Sequence, residues 1–427
     1  MVLSRTLKVS IKKLSSKGFG VFEKITPHKN TTEIELFNAL PGEKISVEEF
    51  SKNKKNLYVI KEWLKVSQGR QDPPCPYFGR CGGCQTLHMS DDMEAAFKRQ
   101  KVIDALHSFG VRFLTVSPVQ TYGQRERRRF RFEVLRHNNR IIFGLRRFHS
   151  NQLIDLESCY VADQSISDLL IPIKIFLTEN TQEGFKASVS VLKVENGLDL
   201  DVQTIKDAKG LCANEKQTLD FMKRNGVTRL TYQEKSFVLQ DPFILIDGLK
   251  VYIHQDAFMQ ASYPSEKAMQ SIVASFLPTE KRPLMIADLY CGLGTFLIPL
   301  SRCHRVHGYE SNIDAVRSLR GALSRGEVTS SKVEARDLKE SPLSQSELLQ
   351  YNCIVINPPR VGVAYDQLIQ IGKSDVERII YVSCNPDTFA RDCMILDKFG
   401  YSPMEIIPID QFYGSYHIEI VAVLVRS

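Results

Sequence analysis

The chain has 427 residues, 43% of them hydrophobic and 25% charged, with a net charge of +7 at pH 7. That length exceeds one ordinary core and predicts two or three globular domains; no run nears the roughly 18 apolar residues of a membrane span, and MVLSRTLKVSIKKL at the N-terminus does not read as a secretory signal. Ten cysteines in such a chain predict a reducing, cytoplasmic setting where thiols serve metal binding or catalysis.

Over residues 1–67 the stretches TLKVSIKKL, GFGVF, TEIELFNALPGEKISVEEF and NLYVIKEWLKV alternate as strands do, with Gly18, Gly20, Pro41 and Gly42 as turns. Several short strands rich in lysine predict a small OB-like barrel. A cysteine-rich loop follows, in which Cys75, Cys81 and Cys84 have the spacing C-x5-C-x2-C, and Cys159 in DLESCYVAD supplies a distant fourth thiol. Four thiolates hold either a tetrahedral zinc or an iron–sulfur cube, and spacing leaves both open.

SDDMEAAFKRQKVIDALHSFG then predicts a helix over about 91–110, with Asp91 and Glu94 as a capping box and Gly110 as its stop. Between Tyr122 and Arg147 lie Arg125, Arg127, Arg128, Arg129, Arg131, Arg136, Arg140, Arg146 and Arg147 against Glu126 and Glu133, an excess equal to that of the whole chain. Phe130, Phe132 and Phe143 are interleaved with them. Such a strand surface suits gripping phosphates and stacking bases, or a solvated face with the rings turned into the core. Residues 68–255 as a whole read as a β-rich second domain.

From Pro264 the pattern changes. Met269, Ile272, Val273, Phe276 and Leu277 fall at helical spacing, and strands follow at LMIAD, RVHGYE, SKVEAR, NCIVIN, RIIYVSC, MEIIPI and HIEIVAVL. Most are separated by helical or loop stretches, which predicts an α/β domain over 256–427 with a parallel, doubly wound, Rossmann-like sheet. After the first strand, DLYCGLGT places Gly292 and Gly294 in a tight turn, with Leu297 where a dinucleotide site would have its third glycine. That substitution favours S-adenosylmethionine over NAD. Glu310 ends the second strand where an acid would accept from ribose hydroxyls, Asp337 follows the third and is expected near the adenine amino group, and Asn357, Pro358, Pro359 and Arg360 close the fourth.

Cys384 stands at the carboxyl end of an apolar strand, before Asn385, Pro386 and Asp387, which read as a helix start. A thiol there is expected to favour its thiolate. Glu419 is a lone carboxylate in the apolar run HIEIVAVL, which is costly to bury without a use. A nucleophile and a base in these settings predict covalent chemistry.

With these residues read, the chain resembles the RNA 5-methyluridine (uracil-C5) methyltransferases, particularly their iron–sulfur branch acting on 23S ribosomal RNA. The resemblance implies a TRAM domain at 1–67, a central β-rich domain carrying a [4Fe–4S] cluster on Cys75, Cys81, Cys84 and Cys159, and a methyltransferase domain at 256–427, with the 91–121 segment packed on it. It makes VSCNP the site of the nucleophile Cys384 and DQFYGSYHIE that of the proton acceptor Glu419. By the same matching Gln260, Tyr290, Glu310 and Asn357 are cofactor-pocket residues. The family usually has Asp at the position of Asn357, and Ala261 and Ser262 replace its usual Val-Asn after Gln260. The implied activity is methylation of uridine C5 in RNA by a monomer with no membrane association; the alternatives are a transfer-RNA substrate or an RNA-binding assembly factor that keeps the methyltransferase shell.

Overall fold

Alternating polar and apolar positions near the N-terminus become two three-stranded antiparallel sheets in the computed structural model, which describes residues 5–25, 31–52, 55–122, 125–148, 150–205, 210–279 and 282–426. Arg5–Ser10, Lys44–Lys52 and Lys55–Lys65 form one sheet, and Lys13–Leu14, Gly20–Ile25 and Thr31–Leu36 the other. Ile11, Phe22, Leu36, Ala39, Ile45 and Val47 fill a small core of their own between them.

The middle of the chain builds a seven-stranded sheet in the order Leu153–Asp155, Arg140–Arg146, Arg129–His137, Lys186–Val194, Gly197–Thr204, Val227–Tyr232, Lys235–Val238. Along Arg129–His137 the pleat sends Phe130, Phe132 and Val134 into the core and Arg129, Arg131 and Glu133 to the opposite face. Phe143 is fully buried beside them. The expectation that these rings stack bases is thereby corrected, because burying each against the sheet's own core stabilises the fold by about 1.5–3 kcal/mol.

Several arginines are likewise used internally. Arg128 is buried against Glu266, Arg136 donates to the carbonyls of Thr178 and Thr181, and Arg146 grips Glu133 with two nitrogens. Arg125, Arg131, Arg140, Arg147 and, despite its pairing, Arg146 remain exposed, so the basic surface survives in reduced form.

The C-terminal sheet has nine strands. Ser331–Ala335, Arg305–Glu310, Met285–Leu289, Cys353–Ile356 and Arg378–Ser383 run parallel in that order, followed by Glu419–Arg426 and Tyr401–Asp410 as an antiparallel pair. Strands covered on both faces read as apolar runs, and all four residues of Cys353–Ile356 are buried. Thr115–Val116 and Gln120–Thr121 add to the far edge against Tyr401–Asp410. Ile244, Ile246 and Val251 of the hairpin Phe243–Tyr252 belong to the same core as this sheet.

The helix Asp91–Ser108 packs on the helix Pro386–Asp397 and the strand Tyr401–Asp410. Its cap is Ser90, whose hydroxyl accepts from the Met93 N–H, and not the Asp91–Glu94 box expected from sequence. Glu94 is turned inward instead: it accepts from the Thr86 hydroxyl at 2.7 Å and the Gly414 N–H at 3.0 Å and pairs with Lys98 at 2.7 Å. The fully buried Lys98 also holds Asp410 at 2.6 Å and donates to the Phe412 carbonyl at 3.2 Å. Burial opposes its charge, yet Asp410 and Glu94 together outweigh burial and raise its pKa.

This cluster fastens the loop 410–418 to the helix. Lys98→Met strands two buried carboxylates, and chemical denaturation is expected to show a loss of about 3–5 kcal/mol. A loss below about 1 kcal/mol would mean the cluster is solvated in solution.

Candidate active site

Strand order reverses between Met285–Leu289 and Cys353–Ile356, and at such a switch point the loops diverge and leave a crevice. Here the crevice is a cavity of about 1030 Å³. Gln260, Tyr290, Glu310, Asp337, Asn357, Cys384 and Glu419, the seven non-cysteine-cluster residues singled out from sequence, all line it.

One end is built from a turn in which Tyr290, Gly292 and Gly294 have φ of 62°, 54° and 91°. At φ 91° any larger residue at Gly294 would be strained, and its Cβ would also press to 2.5 Å from Leu319 Cδ1. The Glu310 carboxylate is fixed by three donors, the N–H groups of Gly292 at 3.0 Å and Asn312 at 2.8 Å and the Ser311 hydroxyl at 3.2 Å. Asp337 sits exposed on the rim with one oxygen accepting from the Lys339 N–H at 2.9 Å. Burial raises the Tyr290 phenol to about 12, which keeps it a hydrogen-bond donor.

A glycine turn, a pinned carboxylate at the second strand and a second acid at the third are the chemistry a nucleoside with a ribose diol and an amino-bearing base requires. The residues present therefore fit S-adenosylmethionine.

The other end carries the reactive side chains. Strand Arg378–Ser383 pairs antiparallel with Glu419–Arg426, with Ser383 opposite Ile420, so Cys384 and Glu419 occupy the next position on each. Glu419 is only 4% exposed. Burial lifts its pKa to about 7, with the Gln411 amide pulling the other way.

Cys384 is pushed up to about 11, first by burial and then by the neighbouring Glu419, with Arg360 partly offsetting them. The expectation of a resting thiolate is corrected. Asn385 caps the helix Pro386–Asp397 by accepting from the Asp387 N–H at 3.2 Å, and the helix N-terminus does not outweigh desolvation and a carboxylate.

Behind these groups lie Gln411, inside the DQFYGSYHIE stretch but given no role by it, and Arg128, singled out only as part of the basic run. The buried Gln411 donates from Nε2 to Glu419 Oε1 at 2.8 Å and to Gln260 Oε1 at 3.0 Å, and its own Oε1 accepts from the Ala261 N–H at 3.0 Å. Arg128 donates to the Gln260 carbonyl at 2.8 Å while its other arm meets Glu266 at 2.6 Å. An amide in a loop and one arginine among many carry no local signal; only strand pairing brings them here.

Cys75, Cys81, Cys84 and Cys159 line a second cavity of about 240 Å³, with Arg127 and Phe130 among its walls. All four thiols are free. Burial raises the pKa of Cys81 and Cys84 and lifts Cys159 to about 11, and the other thiols of the set add to this. A cationic group among them is what would hold them as thiolates.

A Cβ on Gly82 would meet the Arg146 carbonyl at 2.9 Å, and one on Gly83 would meet Leu145 Cδ1 at 2.9 Å. Neither glycine has a positive φ, so space and not backbone freedom demands them. Among the described residues no three His, Cys, Asp or Glu converge tightly enough for a single metal ion. The adjoining N–H groups of Gln85 and Thr86 both donate to the Gly414 carbonyl, at 2.7 and 3.0 Å, and so brace the loop that leads to Glu419.

Residues 91–427 match the model of the tRNA (uracil-5-)-methyltransferase family. The chain is 33% identical to an uncharacterized RNA methyltransferase of Agrobacterium fabrum, over 98% of this chain and 99% of that protein. It is 29% identical to the 23S rRNA (uracil(1939)-C(5))-methyltransferase RlmD of Haemophilus parainfluenzae, over 91% of this chain and 90% of that one. In fold it superimposes on the crystal structure of Pyrococcus abyssi tRNA (uracil-54, C5)-methyltransferase with S-adenosyl-L-homocysteine, with a TM-score of 0.74 at 22% identity over 98% and 99% of the two chains. A thiol and a carboxylate lining one crevice with a glycine turn and a pinned acid agree with the family match over four-fifths of the sequence: the chain belongs to the tRNA (uracil-5-)-methyltransferase family.

Proposed function

We propose that this protein methylates C5 of a uridine in RNA, using S-adenosylmethionine and a transient bond between Cys384 and uracil C6. The observation that carries the reading is Cys384 and Glu419 lining one cavity with the nucleoside-binding turn. Uracil C5 is a poor nucleophile until C6 is attacked. The Cys384 thiol gives up its proton to solvent, its sulfur bonds C6, and the C5–C6 π electrons pass into an enolate across C5, C4 and O4. The donor, when bound, would supply its sulfonium methyl to the C5 carbanion, the S–CH3 electrons staying on the sulfur that departs as a neutral thioether. Glu419 then takes the C5 proton, the electrons of that C–H bond restore the C5–C6 double bond, and the C6–S bond breaks.

In this reading Glu310 holds the donor's ribose hydroxyls, Asp337 its adenine amino group, and Tyr290 and Gln260 its remaining polar groups. Asn357 accepts from the uracil N3–H through its side-chain carbonyl, a task the family's usual Asp would share.

Ribosomal RNA of the large subunit is the proposed substrate, supported by the activity in the name of the Haemophilus parainfluenzae relative. The family description and the Pyrococcus abyssi structure name transfer RNA instead. Incubating the protein with donor and either unmodified RNA, then digesting to nucleosides, is expected to yield 5-methyluridine from 23S RNA. An N-methylated purine would overturn the reading, and 5-methyluridine from transfer RNA alone would overturn the substrate assignment.

The four cysteines are proposed to hold a [4Fe–4S] cluster that positions the protein and its RNA, with residues 1–67 acting as an RNA-binding TRAM domain in the cytoplasm. Thiols arranged around a cavity favour a cluster over one zinc ion, whose four sulfurs must all lie about 2.3 Å from one point. Anaerobically purified protein is expected to contain about four irons and four sulfides per chain. A colourless protein with one zinc would contradict this.

A further inference from the structure

Gln411 makes three hydrogen bonds, and its amide can be placed only one way. The Ala261 N–H is solely a donor, so Oε1 must face it, which commits Nε2 to Glu419 and Gln260. The three side chains are 3–4% exposed, and the two bound by Nε2 line the reaction cavity. Glu419 Oε1 is thereby occupied, while Oε2 has no hydrogen-bond partner among the described residues. Gln260 is in the same position: its Oε1 is taken, and its NH2 group is left as a donor.

We propose that Gln411 is the positioning residue of the proton-transfer step: it fixes the Glu419 carboxylate so that Oε2 alone receives the C5 proton, and it ties that carboxylate to Gln260. The assignment rests on the uridine-C5 reading and deepens it. An amide donor to a buried carboxylate favours the ionised form, so Gln411 also sets the pH at which the base becomes competent. The other titratable groups packed around Glu419 are the Cys384 thiol on the adjacent strand end, Arg360 near that thiol, His417 two residues away, the Lys98–Asp410 pair at the start of the loop, and the Arg128–Glu266 pair behind Gln260. Lys98 is shared by Asp410 and Glu94, Arg128 is matched by Glu266, and burial with the cations nearby lowers His417 to about 4 and keeps it neutral, which leaves Cys384 as the partner able to trade protons with Glu419.

Two substitutions of nearly equal shape separate this role from simple packing. Gln411→Met removes the donor; Gln411→Glu keeps the acceptor for Ala261 but places a carboxylate against Glu419, where the two must share a proton. Single-turnover release of tritium from RNA carrying 5-tritiated uridine reads the proton transfer, and methyl incorporation from labelled donor reads the preceding step. The acidic limb of tritium release is expected to move alkaline by about one pH unit in Gln411→Met and further in Gln411→Glu. In both, methyl incorporation should run ahead of tritium release, with methylated RNA trapped on the protein.

Limbs that coincide with wild type in the folded variants, or the reverse order of the two variants, would overturn the assignment. Thermal melts establish which variants fold, and either one alone carries the pH test. Wild-type protein forming no adduct with 5-fluorouridine RNA would instead overturn the uridine reading itself, so the two failures are distinguishable.

Discussion

Cys384→Ala is expected to lower turnover on the order of 10⁴-fold or more while leaving donor binding intact. Cys384 follows the strand Arg378–Ser383, two places along the sheet from Met285–Leu289, which leads into the glycine turn, so its loss removes the covalent route without touching the nucleoside cradle. Donor binding measured by calorimetry should stay within about twofold, a difference of about 0.4 kcal/mol. Cys384→Ser should fare little better: with thiol ionisation already opposed by burial and Glu419, an alkoxide in the same place is far less accessible. A serine variant with native turnover would mean sulfur is not the nucleophile.

Glu419→Gln is expected to slow turnover about 10²- to 10⁴-fold, the usual worth of a positioned general base. Because the base acts after the methyl has moved, this variant should accumulate covalent RNA–protein complex on ordinary uridine RNA, visible on denaturing gels. Its pH profile supplies an independent check. Burial raises the folded-state pKa of Glu419 to about 7, so the active, ionised form is gained as pH climbs through that value and lost below it. Wild-type turnover should therefore fall about tenfold per unit below about pH 7, and Glu419→Gln should lack that limb. An unchanged profile in the variant would assign the base elsewhere.

What could be read from sequence was what neighbours in the chain decide. Glycines 292 and 294 imply a turn because only a few residues shape it, and thiols 75, 81 and 84 are close in sequence and so mark a common site by spacing alone. The strands of the catalytic sheet were legible because both faces are covered, which leaves long apolar runs.

Residues whose partners lie far along the chain stayed hidden. Lys98 meets Asp410 across 312 positions and Gln411 meets Gln260 across 151, and although DQFYGSYHIE and Gln260 stand out in the sequence, nothing local announces either contact. Alternation around Phe130 and Phe132 was visible, yet period two fits either face, and only the packing of the central sheet decides that the rings go inward. For Cys384 the local helix start pointed toward a thiolate, while burial and a carboxylate on the adjoining strand, both tertiary, point the other way and prevail.

Mixing the protein with donor and RNA carrying 5-fluorouridine, then mapping any covalent link by mass spectrometry of the digested complex, tests the bond between Cys384 and uracil itself. Fluorine at C5 cannot leave as a proton does, so the reaction should halt as a methylated adduct on the peptide containing Cys384, absent in Cys384→Ala. No adduct in the wild-type protein, or one mapped to a different residue, would contradict the account.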